Sequence, residues 1–127
     1  MKAIQLFLGS WLVICSVAAW AEEPHSCKSH PQINGACSEV HGRLSFYNGT
    51  PSARIWVVGT NRMLGISERK YAVDGIENVP SDLLAQLDID SEMYADFVVC
   101  PFTTQQQGVM QLICVESANH VVVKSRK

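Results

Sequence analysis

Hydrophobic and polar residues alternate along several short segments of this chain, and turn-forming residues separate the segments. Residues 40–47 alternate in this way and end at Asn48 and Gly49, the dipeptide most typical of a tight β-hairpin turn. A second alternating segment follows at residues 53–58. Because alternation places every second side chain on one face of a strand, residues 40–60 are predicted to form a hairpin of two half-buried strands.

The rest of the pattern predicts more strands and one short helix. The further strand-like segments are residues 62–67, 69–73, 93–102, 109–117 and 120–124. The helical segment is residues 79–87, where Ser81 is placed to cap the N-terminus and three leucines share one face. Short strands punctuated by turns, with one brief helix, are typical of a mainly β fold, either an antiparallel sandwich or a small barrel.

The N-terminus has the features of a secretory signal peptide. Lys2 precedes an almost wholly apolar stretch, residues 3–19, which ends in Ala-Trp-Ala at residues 19–21, a small-x-small pattern that signal peptidase accepts. We therefore predict cleavage after Ala21. The alternatives are a membrane anchor, for which the run is short, and lipid attachment at Cys15.

Cleavage would divide the chain into a signal peptide, residues 1–21, and a mature part, residues 22–127. The mature part begins with a polar leader rich in turn formers, residues 22–38, and continues as one domain, residues 39–127. That length is sufficient for a hydrophobic core. We expect a periplasmic or secreted protein without a stable membrane span.

The mature part contains four cysteines, which are Cys27, Cys37, Cys100 and Cys114. An even number of cysteines in an exported chain predicts two disulfides. Our preferred pairing joins Cys100 to Cys114 across a hairpin centred on Gln107, and leaves Cys27 with Cys37. The alternative joins Cys37 to one of the two C-terminal cysteines and would attach the leader to the sheet.

Charge is distributed unevenly along the mature part. Residues 28–70 contain six basic and two acidic residues, residues 71–123 contain eight acidic and no basic residues, and residues 124–127 add three positive charges. The two halves could face each other and neutralise locally, or could form one basic and one acidic surface that orients a partner. A net negative chain without a basic stripe argues against a nucleic-acid ligand.

Two groups of residues have metal-ligand chemistry. The leader and the start of the domain place two thiols among three imidazoles, which suits copper or zinc; these residues are His25, Cys27, His30, Cys37 and His41. An acidic segment contains Asp88, Asp90 and Glu92, with Asp96 nearby, a set that suits Ca²⁺. Disulfide formation would remove the thiolates, and a solvated acidic loop explains the carboxylates equally well, so we predict no cofactor.

The stretch from residue 40 to 71 resembles transthyretin-like and carboxypeptidase-regulatory-like domains. The resemblance rests on a glycine-containing strand, an N-G-x-P turn and a following strand of alternating aliphatics; the matching residues are Gly42, Asn48, Gly49, Pro51, Ala53, Ile55 and Val57. The segment at residues 67–71 lacks the turn glycine usual in such domains. The resemblance implies a small antiparallel β-sandwich of transthyretin-like or immunoglobulin-like type that acts as an exported scaffold or binding module.

The sequence contains none of the signatures of hydrolase, metalloprotease or nucleotide sites. The predicted function is therefore a non-catalytic binding or structural module for an unknown protein or small ligand. Arg54 and Trp56 are the predicted partner-binding residues, because exposed Trp and Arg are typical interface anchors. The alternatives are an exported metal-binding protein and a periplasmic enzyme inhibitor.

Overall fold

The computed structural model describes residues 9, 12–16, 26–67 and 78–127. The predicted cleavage site, His25 and the predicted strand at residues 69–73 lie outside this part. Cys15, where lipid attachment was the alternative, is exposed and forms no disulfide. Among the described residues, no helix has the length and apolar character needed to cross a membrane.

The described residues form five strands and one short helix, which confirms the mainly β prediction. In chain order the elements are β1 (Ser38–Phe46), β2 (Ala53–Val57), β3 (Met63–Ile66), α1 (Ser81–Leu84), β4 (Ser91–Pro101) and β5 (Gln111–Ser125). β1 and β2 are the predicted first hairpin, and Gly49 in their turn has φ = 114°, a conformation that favours glycine.

The strands form one mixed sheet that closes into a barrel in the order β1-β2-β3-β5-β4. β3 runs parallel to β5, and every other pair is antiparallel. The predicted antiparallel sandwich is therefore not confirmed. The connection from β3 through α1 to β4 allows β5 to return beside β3 in the same direction, and this non-local pairing has no signature in the local sequence pattern.

The core fills the inside of the barrel with the inward-facing side chains of all five strands. The fully buried members include Leu44, Ile55, Leu64, Met93, Phe97, Ile113 and Val115. Gly42 is also buried in β1, and a Cβ atom there would lie 2.3 Å from Ile55 Cγ2. The barrel wall is thus packed too closely at this position for a side chain.

The helix is shorter than predicted and begins differently. It spans Ser81–Leu84, and its N-cap is Pro80, without a side-chain capping hydrogen bond, so the predicted capping role of Ser81 is wrong. Proline suits the start of a helix, where a backbone N–H has no intrahelical partner. Leu83 is buried, and the helix packs this side chain into the core.

β4 and β5 form the long C-terminal hairpin. Cys100 pairs with Cys114 in the ladder, which confirms the centre of the predicted register. A bulge between Val98 and Val99 shifts the register by one residue in the part of β4 that precedes Val99. The predicted strands 109–117 and 120–124 are one continuous strand of 15 residues, with a second irregularity near His120, whose φ is 54°. The chain thus continues through a bulge where the sequence indicated a break.

The disulfide pairing differs from the preferred prediction. Cys27 is bonded to Cys114, and Cys37 is bonded to Cys100, so the predicted pairs Cys100–Cys114 and Cys27–Cys37 are wrong. Both bonds attach the leader to the β4–β5 hairpin, as in the alternative pairing. Two disulfides are consistent with folding in an oxidising compartment.

The leader covers the outer face of the β4–β5 hairpin at the disulfides. A second, smaller apolar cluster lies there, outside the barrel; it consists of Cys27, Cys100, Phe102 and Cys114, with Ile33, Cys37 and Leu112 against it. Both faces of this hairpin are apolar in the sequence, and the structure shows why: one faces the barrel core and the other faces the leader. The leader is therefore part of the packed structure.

Candidate binding surface

The outer face of the barrel carries a patch in which cations and aromatic rings alternate. Strand register brings the patch together, because Arg43 on β1 lies opposite Trp56 on β2 and opposite Tyr94 on β4. We refer to this patch as the basic–aromatic wall, and its members are Arg43, Tyr47, Arg54, Trp56, Tyr94, Lys124 and Arg126. It therefore extends across four neighbouring strands and includes the residues that directly follow β1 and β5.

Each aromatic ring of the wall has a cation against its face. The Arg43 guanidinium lies 4.9 Å from the centre of the Trp56 ring, and the Arg54 guanidinium lies 5.2 Å from that of Tyr47. The Lys124 ammonium lies 5.0 Å from the ring centre of Tyr94. These are cation–π distances. The wall therefore combines positive charge with aromatic surface at each of these three contacts.

Trp56 is neither a core residue nor a freely exposed one. It is half-buried, and its indole Nε1 donates a hydrogen bond of 2.6 Å to the carbonyl oxygen of Thr60. Arg54 points to the same side of β2, but it packs on Tyr47 and donates from Nε to the carbonyl oxygen of Pro51 at 2.8 Å. The two predicted partner-binding residues therefore belong to one surface without touching through their charged and aromatic groups.

Sequence reasoning missed the larger part of the wall. Tyr94 and Lys124 come from β4 and β5, which are distant in sequence from the first hairpin. Tyr94 alternates with buried neighbours in β4, which marks it as outward-facing, but only the pairing of β4 with β1 places it beside Arg43. Lys124 joins the wall through its contact with the Tyr94 ring. The missing information was therefore the strand order.

Ion pairs join a basic residue of the wall and one at the C-terminal end to carboxylates of the acidic half of the chain. Arg43 Nε lies 3.5 Å from Glu92 Oε2, and its hydrogen bond with the Tyr47 hydroxyl is the main cause of a raised Arg43 pKa. Lys127 Nζ lies 3.3 Å from Asp90 Oδ2. Charge is neutralised at these pairs, whereas Arg54, Lys124 and Arg126 instead lie against aromatic rings.

The predicted soft-metal ligands of the leader are not brought together. Cys27 and Cys37 are disulfide-bonded, and His30 is buried against the edge of Phe102 with ring centres 4.8 Å apart. Glu116 lies near the sulfur atoms of Cys27 and Cys100, but it accepts hydrogen bonds from the backbone N–H groups of Cys27 and Lys28. Oxidised sulfur does not supply the thiolates that such a metal site needs.

The predicted calcium ligands each bond to a different protein group. An oxygen of the Asp88 carboxylate accepts the backbone N–H of Asp90 at 2.8 Å. Asp90 and Glu92 form the ion pairs with Lys127 and Arg43. This segment is therefore organised by protein contacts, and its carboxylates do not converge on a common point.

A polar cleft of ≈ 870 Å³ lies between residues 60–63 and residues 105–111. Arg62 and Gln111 occupy it and bond to each other, with the Gln111 Nε2 donating further to the carbonyl oxygen of Thr103 at 2.9 Å. The cleft is open, and these polar groups satisfy each other. It therefore offers a partner less free charge than the basic–aromatic wall.

A third constellation, on the outer face of β1, β4 and β5, joins two histidines through one carboxylate. His41 Nδ1 lies 2.8 Å from Asp96 Oδ1, and His120 Nδ1 lies 2.9 Å from Asp96 Oδ2. Both hydrogen bonds favour the ionised carboxyl, and the bond from His41 is the larger cause of the lowered pKa of Asp96. We refer to these three residues as the histidine–carboxylate cluster.

The lowered pKa of Asp96 predicts a pH dependence of stability. Because the folded-state pKa lies below the unfolded-state value, the contribution is complete above the unfolded-state pKa and is lost as pH falls through the folded-state pKa. Between about pH 6 and pH 3, the free energy of unfolding measured with urea should fall less steeply for Asp96→Asn than for the wild type. The control Asp82→Asn, an exposed carboxylate on α1, should retain the wild-type slope. Equal slopes for Asp96→Asn and wild type would contradict the assignment.

The strands close into a five-stranded barrel in which β3 is parallel to β5 and a short helix lies between β3 and β4 in the chain. Such a fold accommodates many functions, so the function must be argued from the site. Comparisons with protein-family models, with curated proteins and with solved structures find no match. The resemblance of residues 40–71 to transthyretin-like domains stays a prediction.

Proposed function

We propose that this chain is an exported, non-catalytic binding module whose basic–aromatic wall binds an acidic segment of a protein partner. The observation that carries the proposal is the placement of a cation on each of the three rings of the wall, Tyr47, Trp56 and Tyr94. Aromatic residues and arginine are enriched at interface hot spots. The predicted signal peptide and the two disulfides support an extracytoplasmic location.

The chemistry of the wall favours carboxylates over nucleobases. Single-stranded nucleic acids bind by stacking their bases on open aromatic faces. Here Arg43, Arg54 and Lys124 occupy the ring faces. Guanidinium groups held in place by a ring are preorganised to donate two N–H hydrogen bonds to one carboxylate. The wall therefore suits a partner that brings anionic side chains to an existing surface.

Trp56 provides an internal probe of this binding. The chain has three tryptophans, and Trp11 and Trp20 lie in the predicted signal peptide, so Trp56 would be the only emitter of the mature protein. Titration of mature protein with a glutamate-rich peptide should change its emission. The double variant Arg54→Ala/Lys124→Ala should weaken the affinity by about tenfold or more, as expected for loss of charged interface contacts.

A matched control separates the wall from the general charge of the protein. Lys28→Ala also removes a positive charge, from an exposed position in the leader, and should alter the affinity by less than about twofold. Raising the salt concentration should weaken the peptide complex. The proposal is wrong if Lys28→Ala weakens the peptide affinity as much as the single wall variant Lys124→Ala does. It is also wrong if the protein binds a single-stranded oligonucleotide and not the peptide.

A further inference from the structure

The two disulfides lie side by side where the leader meets the β4–β5 hairpin. Cys100 and Cys114 are directly opposite each other on β4 and β5, and each is bonded to one cysteine of the leader. The sulfur atoms of Cys27 and Cys100, which belong to different disulfides, lie within 4.8 Å of each other. Each bond therefore has a sulfur atom of the other bond as a near neighbour.

One of the two bonds can be reached from solvent. Cys37 is half-buried, whereas the other three bonded cysteines are buried. An open cavity of ≈ 390 Å³ lies at Cys37, and it is lined by other residues of the leader and by Val98 on β4. Thiol–disulfide exchange requires access to the attacked sulfur atom. The Cys37–Cys100 bond is therefore the point at which an external thiol can react.

We propose that this cavity is an exchange site for an external dithiol, and that reduction of the Cys37–Cys100 bond is passed on to the Cys27–Cys114 bond. In the first step a thiolate of the dithiol attacks Cys37 Sγ, forms a mixed disulfide with it and displaces Cys100 as a thiolate. The second thiol of the dithiol then displaces Cys37, which takes a proton, and the dithiol is oxidised to an internal disulfide. This proposal does not depend on the proposed function of the wall.

The second step occurs between the two neighbouring bonds of the protein. The Cys100 thiolate attacks Cys27 Sγ, so that a Cys27–Cys100 bond forms and the Cys27–Cys114 bond breaks. Cys114 leaves as a thiolate and takes a proton from water. One disulfide replaces another, so this step consumes no oxidant or reductant. Because both sulfur atoms are held within 4.8 Å, the step is intramolecular and gains the advantage of proximity.

The exchange moves an attachment point of the leader from β5 to β4. In the oxidised protein, the backbone N–H groups of Cys27 and Lys28 donate to Glu116 on β5, close to the Cys27–Cys114 bond. A bond to Cys100 draws Cys27 towards the neighbouring strand, which is about 4.8 Å away. The leader therefore has two covalently defined positions, and the oxidation state of Cys37 selects between them.

Partial reduction followed by peptide mapping tests the exchange. The mature protein is treated with one equivalent of dithiothreitol, quenched with acid and alkylated with N-ethylmaleimide under mildly acidic conditions, which suppress later exchange by keeping thiols protonated. Digestion at basic and aromatic residues, without further reduction, separates the four cysteines. In the species with two alkylated cysteines, the disulfide should shift from Cys27–Cys114 to Cys27–Cys100, with the label on Cys37 and Cys114.

Two single variants separate exchange from simple reduction. Cys37→Ala leaves Cys100 as a thiol beside the second bond, so the purified variant should contain Cys27–Cys100 as well as Cys27–Cys114. The matched control Cys100→Ala leaves the thiol on Cys37, whose sulfur atom is not in the converging group, and should contain Cys27–Cys114 alone. Urea unfolding verifies that each variant is folded, and mapping of the wild type decides where a variant is not.

Two outcomes would overturn the proposal. The first is a partially reduced wild type whose remaining disulfide is any other than Cys27–Cys100, such as Cys27–Cys114 with the label on Cys37 and Cys100. The second is a folded Cys37→Ala variant that contains Cys27–Cys114 alone, as its control does.

Discussion

Replacing Cys27 and Cys114 together by serine is expected to lower the free energy of unfolding by about 4–5 kcal/mol in the chain-entropy model. The bond closes a sequence separation of 87 residues, so its removal returns a large amount of conformational freedom to the unfolded chain. Both cysteines are buried, so the new hydroxyl groups add a desolvation cost. Urea unfolding of the mature protein measures the difference.

The second disulfide supplies the comparison. Cys37 and Cys100 are separated by 63 residues, for which the same model gives a similar loss of about 4 kcal/mol. Peptide mapping without reduction should recover Cys27 with Cys114 and Cys37 with Cys100. A peptide joining Cys100 to Cys114 would contradict this connectivity, and a loss below about 1 kcal/mol would contradict the stabilising role of the bond.

Gly42→Ala is expected to destabilise the barrel by about 2–3 kcal/mol, the upper part of the range for overpacking a core. An added Cβ would lie 2.3 Å from Ile55 Cγ2, 3.2 Å from the carbonyl oxygen of Trp56 and 3.4 Å from Phe97 Cδ2. Ile55 and Phe97 are fully buried, and the Trp56 contact is with backbone, so neighbouring atoms cannot move away without strain. The measurement is again urea unfolding.

A double-mutant cycle identifies the clash. Ile55→Leu moves the branch of the side chain from Cβ to Cγ and removes the atom that a Cβ at residue 42 would meet first. The variant Gly42→Ala/Ile55→Leu should therefore be more stable than the sum of the single changes by about 1 kcal/mol or more. Strictly additive effects on the free energy of unfolding would mean that contact with Ile55 does not cause the destabilisation by Gly42→Ala.

Local features of the chain were predictable because their physical causes are local. Alternation in residues 40–47 and 53–58, with Asn48 and Gly49 between them, specifies the β1–β2 hairpin. The polar turn at residues 103–108 likewise sets Cys100 opposite Cys114. The existence of two disulfides follows from an even number of cysteines in a chain with a predicted signal peptide.

The position of the leader and the pairing of its cysteines could be assigned only from the tertiary structure. Opposed cysteines in a hairpin are close enough to bond to each other, and Cys27 and Cys37 are near in sequence, so the local pattern favours the local pairing. The folded leader instead packs on the outer face of the β4–β5 hairpin and presents one cysteine to each strand. This packing decides which of the two possible disulfide pairings forms. The packing involves residues far apart in the chain, so the local sequence pattern does not encode it.

The sequence by itself determined the first hairpin, the turn between β4 and β5 and the outward direction of Arg54 and Trp56, since each depends on neighbours within a few residues. The tertiary structure decided which outward-facing residues meet. Closure of the barrel brings Tyr94 beside Arg43, and the bulge in β5 brings His120 to Asp96 and His41. The basic–aromatic wall and the histidine–carboxylate cluster both depend on strand order and register, which arise from contacts between residues far apart in the chain.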